Sequence, residues 1–345
     1  MFNKDYNFLV KLLHGAIVGN KFVPELLFDI ENLITKKENK KLDIKHQIYI
    51  TGLARAGTTV LLRSLYMSKQ FASFTYRDMP FIISPNIWNF ISKYFKSKKP
   101  VERKHNDRLL INLDSPEQFE EVFWNLKTSN DYILPDILKA YEVDEYNLSL
   151  YEIFIKNCLI KYKKQSYISK NNNNLLRINS LMSKFPRAKF LILFRDPLDH
   201  AISLLNQHKN FSKLQKEDNF IRKYMNFLVH HEFGLAQKQM IFNKKQKSSI
   251  EKNNINFWLE QWINFYGHIL KSKLNQKEGV LLVNFEKMCN STTDELNNLT
   301  NFLNEDFFKD LPKNYFSYKS YDQKEFAFDS KLKDEAFKII EEFKK

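Results

Sequence analysis

The chain has 345 residues, 43% of them hydrophobic and 15% aromatic, enough to bury a sizeable core in one large α/β domain. Lys and Arg number 54 against 40 Asp and Glu, a net charge of +14 that suits an anionic cofactor. Two cysteines, Cys158 and Cys289, in separate apolar surroundings exclude a disulfide framework and a cysteine metal cluster, so a reducing, cytoplasmic setting is expected.

In chain order, apolar runs alternate with helical periods, as in a doubly wound sheet. An apolar stretch over 8–18 is interrupted by Lys11 and His14 and is too short and too polar to span a bilayer; with the rest of 1–44 it is read as a helical segment before the core. Strands are predicted near 48–51, 71–75, 167–169, 189–194 and 280–284, and helices over 58–68, 116–126, 151–162, 198–208, 220–240 and 255–274. Ser115 in cap position with Gln118 three residues on gives the helix from Pro116 a capping box. Residues 244–254 carry no apolar period and read as a surface loop, and 331–345 reads as a closing amphipathic helix. There is no internal repeat. A single domain over 1–345 is expected, with its core at about 45–300 and a helical extension over 301–345. The lysines accompany many asparagines, including the run Asn171 to Asn174, which is what a biased base composition produces; no nucleic-acid partner and no stable membrane insertion are expected, and oligomeric state leaves no signature.

Two segments carry chemistry. Residues 47–62 run from an apolar strand through Gly52-Leu-Ala-Arg55-Ala56-Gly57 into a helix opening with Thr58 and Thr59. Glycines let the backbone wrap an anion while the helix N-terminal N–H groups and dipole point at it. The spacing matches a P-loop, but Thr58 stands where the phosphate-binding lysine would be, which serves an ATP or GTP hydrolase poorly. Residues 190–203 contain a second buried strand ending in Arg195-Asp196-Pro197, with Ser203 about two helical turns beyond Arg195. A guanidinium and a hydroxyl can converge there on a second phosphate outside the carboxyl end of the sheet.

Together, Gly52-Leu-Ala-Arg-Ala-Gly-Thr-Thr59 and Arg195-Asp-Pro-Leu-Asp-His-Ala-Ile-Ser203 resemble the two cofactor signatures of the sulfotransferases that use 3′-phosphoadenosine-5′-phosphosulfate (PAPS). The resemblance covers roughly 45–300 and implies a P-loop-like parallel sheet flanked by helices on both faces, with helical insertions. It implies that Arg55, Ala56, Gly57, Thr58 and Thr59 hold the 5′-phosphosulfate, that Arg195 and Ser203 hold the 3′-phosphate, and that no metal is needed. Tyr167-Ile-Ser-Lys170 resembles the strand that delivers a lysine to the transferring group, and the segment from Val280 to Glu286 resembles the late strand ending in an aromatic residue and a glutamate. Lys170 is then the candidate for steadying the bridging oxygen, and Arg55 for neutralising the leaving phosphate.

The base has several candidates. Arg77 and Pro80 fit a spacing found in the tyrosine-modifying branch, but Thr75 stands at the position of its glutamate, which moves the role to Asp78. His105, an imidazole in a polar loop, is the second candidate. Glu117, Glu120 and Glu121 read as an ordinary acidic first helical turn, and Trp88 and Trp124 as core or as platforms for a sugar ring. His230-His231-Glu232 lacks metal-ligand spacing; one histidine lining an acceptor pocket is weighed against a helix face packing beside the helix after Arg195. The expected acceptor is a hydroxyl of a carbohydrate or small metabolite. A nucleotide or small-molecule kinase with a degenerate P-loop, and a non-catalytic nucleotide- or glycan-binding module, are the alternatives.

Overall fold

The computed structural model describes residue 17 and residues 21–103, 109–243, 246–312 and 315–344. Five strands form its central sheet: β1 (His46–Thr51), β2 (Phe71–Ala72), β3 (Ser166–Lys170), β4 (Lys189–Phe194) and β5 (Val280–Asn284). Their order is β2-β3-β1-β4-β5, and every pairing is parallel, with Ile50 opposite both Lys170 and Leu191. Period-two alternation sends successive side chains to opposite faces. Tyr49, Tyr167, Phe190 and Ile192 enter one apolar cluster, while Ile48, Ile50, Ile168, Leu191 and Leu193 enter another. Both faces are therefore covered, which is why these strands read as continuous apolar runs.

The larger cluster is closed by α1 (Phe22–Lys41), α3 (Glu121–Tyr132), α4 (Glu145–Tyr162), α5 (Pro197–Glu217), α6 (Ile255–Lys271) and α7 (Ser330–Lys344). The smaller one is closed by α2 (Thr58–Tyr66) and by the helices Phe285–Asn290 and Thr292–Leu303. Strand order reverses at β1, between β3 and β4, so the loops after β1 and β4 and the end of β3 share one crevice. No described helix is long and apolar enough to cross a membrane.

Three expectations differ from the structure. Pro116 does not open a helix: it bridges Thr75, and α3 starts only at Glu121, so Ser115 and Gln118 form no capping box there. The helix expected over 220–240 stops at Phe227; Val229 takes φ +53°, and the His230 N–H returns to the Met225 carbonyl, the six-to-one closure of a Schellman turn. After that turn, Gln239–Ile241 pairs in parallel with Ile137–Lys139 as a small second sheet. The run Asn171 to Asn174 is not a compositional accident on the surface. All four residues are buried, and the amides of Asn171, Asn172 and Asn174 donate to Glu120, Glu121 and Glu232.

Candidate functional site

The loop between β1 and α2 is shaped by close contacts that only glycine permits. A Cβ on Gly52 would lie 2.7 Å from the Leu193 carbonyl oxygen of β4, and one on Gly57, at φ +96°, would lie 2.3 Å from the Phe285 ring. Between them Arg55 adopts φ +74°, a left-handed conformation that side-chain-bearing residues rarely take. Gly57 is the N-cap of α2 and supplies no capping side chain, so nothing from the residue itself covers the N–H groups of the first turn. His200, buried in α5, donates from Nε2 to the Ala54 carbonyl at 2.7 Å. Burial and the nearby Arg195 push its pKa down to about 3, so it stays neutral and holds the loop as a hydrogen-bond donor.

The second segment meets the first. Asp196 caps α5 by accepting from the Leu198 and Asp199 N–H groups, and Pro197 is its first residue. Glu286 accepts from the Asp196 N–H at 2.9 Å and lies 3.4 Å from Arg195 Nε. Arg55 Nε reaches Ser203 Oγ at 3.4 Å, so residues 148 positions apart share one wall. Arg195 donates from Nη2 to the Lys319 carbonyl at 3.0 Å, which draws the segment 317–321 across this end of the cavity.

These elements enclose a cavity of about 700 Å³. Arg55, Gly57, Thr58, Thr59, Arg195 and Ser203 line one end. Lys170, buried at the carboxyl end of β3, also lines the cavity; it donates to Gln118 Oε1 at 2.8 Å and lies 3.8 Å from Glu117 Oε1. Burial pushes the Lys170 pKa down, Glu117 and Glu232 oppose the shift, and Arg103 and Arg55 add to it. Arg103 pairs with Glu117 at 2.6 Å. His230 also lines the cavity, with Nε2 3.4 Å from the Gln118 carbonyl oxygen. A carbonyl only accepts, so in that contact Nε2 is the donor. Among the described residues, the buried cavity-wall atoms Gln118 Nε2, Gln207 Nε2 and Asn172 Oδ1 have no hydrogen-bond partner. Unsatisfied buried groups are costly, and a polar ligand would satisfy them.

Not every expected residue arrives here. Asp78 is fully buried away from the cavity, accepting from the Thr75 N–H, from Tyr162 and from Lys161. It caps a short turn and cannot take a proton from a ligand in this cavity, which corrects its assignment as base. Asp78→Asn is expected to lower unfolding free energy by about 1–3 kcal/mol and to leave ligand affinity unchanged, as urea titration and calorimetry would read. Arg77 likewise serves the fold, donating to Asp114 and to the Ser92 and Phe95 carbonyls. His105 lies outside the described residues. Glu117, Glu120 and Glu121 are buried rather than a solvated first turn, and Trp88 and Trp124 are core. Sequence reasoning missed Gln118, Asn172, Glu232 and the segment 317–321. For Asn172 a signal existed: its run directly follows the strand that delivers Lys170.

A family model described as "Sulfotransferase family" matches residues 47–238, more than half of the chain. Among solved structures, sulfotransferase STF9 from Mycobacterium avium is similar at 13% identity and a TM-score of 0.56, covering 99% of this chain and 88% of that one. Sulfotransferase STF1 from Mycobacterium tuberculosis H37Rv is similar at 10% identity and a TM-score of 0.53, covering 97% and 88%. At these identities the likeness establishes a shared fold. No curated protein sequence matches the chain.

Proposed function

The chain belongs to the sulfotransferase family, and from that premise we propose that it transfers a sulfuryl group from PAPS to a hydroxyl of a small acceptor held in the same cavity. The observation that carries the reading is the meeting of the 54–59 loop and the Arg195/Ser203 segment in one cavity that a buried lysine, Lys170, also lines. When bound, the nucleotide supplies the sulfuryl group: the acceptor oxygen bonds to sulfur as the sulfur–oxygen bond to the 5′-phosphate breaks. Arg55, the first-turn N–H groups of α2 and the Thr58 and Thr59 hydroxyls bind the 5′-phosphate, and Arg195 and Ser203 bind the 3′-phosphate. Lys170 steadies the bridging oxygen and donates a proton to it, a role eased by its lowered pKa.

His230 Nδ1 accepts the acceptor's proton. Glu117 is the poorer candidate, because its carboxylate is already engaged by Arg103 at 2.6 Å and lies 3.8 Å from Lys170 Nζ. Arg195→Ala is expected to weaken 3′-phosphoadenosine-5′-phosphate (PAP) roughly 10–100-fold while leaving AMP nearly unchanged, the loss of one charge-assisted contact. Calorimetric titration of the wild type and the variant with both nucleotides measures this. Equal weakening of PAP and AMP would remove Arg195 from the 3′-phosphate site.

A further inference from the structure

A surface helix ordinarily turns its apolar stripe to the core, and α1 does the reverse. Its buried residues are Pro24, Phe28, Glu31, Thr35 and Asn39, three of them polar. Hydrogen bonds hold those three: Glu31 accepts from the Asn86 and Ile87 N–H groups, and Thr35 and Asn39 reach Asn157 Oδ1 of α4 at 2.8 and 2.9 Å. The apolar residues Phe22, Leu26, Ile30, Leu33 and Ile34 are instead exposed, Leu33 by 71%. In helical projection they fall within an arc of about 120° opposite the buried positions. Lys37, Lys40 and Lys41, all exposed, continue the same arc into the last turn, and the exposed acidic residues Asp29 and Glu38 lie outside it.

The neighbouring helix, Pro85–Ser92, repeats the pattern. It packs on α4 as α1 does, and Asn86 near its start donates to both Glu31 and the Asn157 carbonyl. From its end onward Phe90, Ile91, Tyr94 and Phe95 are exposed, interleaved with the exposed Lys93, Lys96, Lys98 and Lys99, and 90–99 holds no acidic residue. Lys93 Nζ lies 6.0 and 5.0 Å from the Phe90 and Tyr94 ring centroids. We infer that α1 and the segment 90–99 dock the chain peripherally on a membrane surface that carries anionic lipid. Apolar and aromatic side chains enter the headgroup boundary while the ammonium groups around them meet lipid phosphates. A second copy of the chain suits these surfaces less, because a two-fold contact would set the lysines against one another. A helix face is convex, and a fluid bilayer conforms to it without a matching groove. No described helix is long and apolar enough to cross a membrane, so the association is interfacial. None of these side chains lines the cavity, so docking stands or falls apart from sulfuryl transfer.

The test is flotation of the full chain with vesicles of phosphatidylcholine alone and of phosphatidylcholine with phosphatidylglycerol. Partition onto the anionic vesicles is expected, weakening as salt rises, with little onto the neutral ones. Leu33→Gln and Phe90→Gln, both at exposed positions, are each expected to lower the partition coefficient roughly tenfold and to leave the urea unfolding midpoint unchanged. Lys37→Gln together with Lys40→Gln is expected to lower it by roughly fivefold per lysine. Absence of binding to anionic vesicles, equal binding to both kinds, or anionic binding that Leu33→Gln and Phe90→Gln leave intact overturns the inference. Concentration-dependent self-association that those two substitutions abolish would assign the surface to a second copy and overturn it as well.

Discussion

Lys170→Met is expected to lower kcat by about 10²–10³-fold, the usual cost of removing one preorganised donor from developing negative charge. The lysine is buried at the end of β3, beside Ile50 of β1, and the strand register leaves its ammonium little freedom to point elsewhere. Methionine fills similar volume without charge, so PAP affinity should change far less than turnover. The rate should also fall on the alkaline side earlier than a free lysine, near 10.4, would dictate, because burial holds the Lys170 pKa below its usual value. Steady-state rates of PAPS consumption against pH, for the wild type and the variant with a responsive alcohol, read both effects. Equal losses in PAP affinity and in kcat would make Lys170 a binding residue only.

Glu121→Ala is expected to cost about 3–5 kcal/mol of folding stability, the range for removing one member of a fully buried ion pair. Glu121 accepts both arms of Arg177 at 2.8 and 3.0 Å, together with Tyr132 and Asn171 at 2.6 Å each. The Arg177 guanidinium also stacks over Trp124 and Tyr132, with centroid distances of 4.7 and 4.9 Å. Truncating Glu121 strands that cation among rings. Burial alone would raise the Glu121 pKa, but the charge and hydrogen bonds of Arg177 outweigh it and leave the carboxyl below its ordinary value. A depressed carboxyl contributes stability that is complete above the unfolded pKa, about 4.3, and is lost as pH falls through the lower folded value. Urea unfolding midpoints at pH 7 and pH 3 should therefore differ less in the variant than in the wild type. A variant within about 1 kcal/mol of the wild type would contradict this account of the pair.

The consequence reaches the site, since Asn171 begins the turn that carries Asn172 to the cavity wall beside Lys170. Stability and chemistry are coupled there through one buried network.

What the sequence discloses follows how local each determinant is. The five central strands are buried on both faces, so their apolar runs mark them without reference to anything distant, and β4 and β5 coincide with their expected limits. The glycine-bracketed loop and the Asp196–Pro197 cap are likewise set by neighbouring residues. Pro116 is different: it is held by a bridge to Thr75, a partner 41 positions away, and local cap chemistry at Ser115 pointed the other way. His230 enters the cavity only because Val229, a β-branched residue, adopts a left-handed turn that propensity argues against. Arg195 meets the Lys319 carbonyl through the backbone, and no side-chain pattern over 317–321 advertises such a contact. The asparagine run was read from composition, but its burial depends on carboxylates supplied by α3 and by Glu232.

The loop over 54–59 and the Arg195/Ser203 segment are proposed to form one site for a nucleotide carrying both a 5′- and a 3′-phosphate. Its most direct measurement is calorimetric titration of the purified chain with PAP, ADP and ATP, with magnesium and with EDTA. One site per chain is expected, tight for PAP, dependent on the 3′-phosphate and indifferent to magnesium. Preference for ATP with magnesium would contradict it and favour phosphoryl transfer, and no binding by any of the three nucleotides would leave a sulfotransferase fold without its donor site.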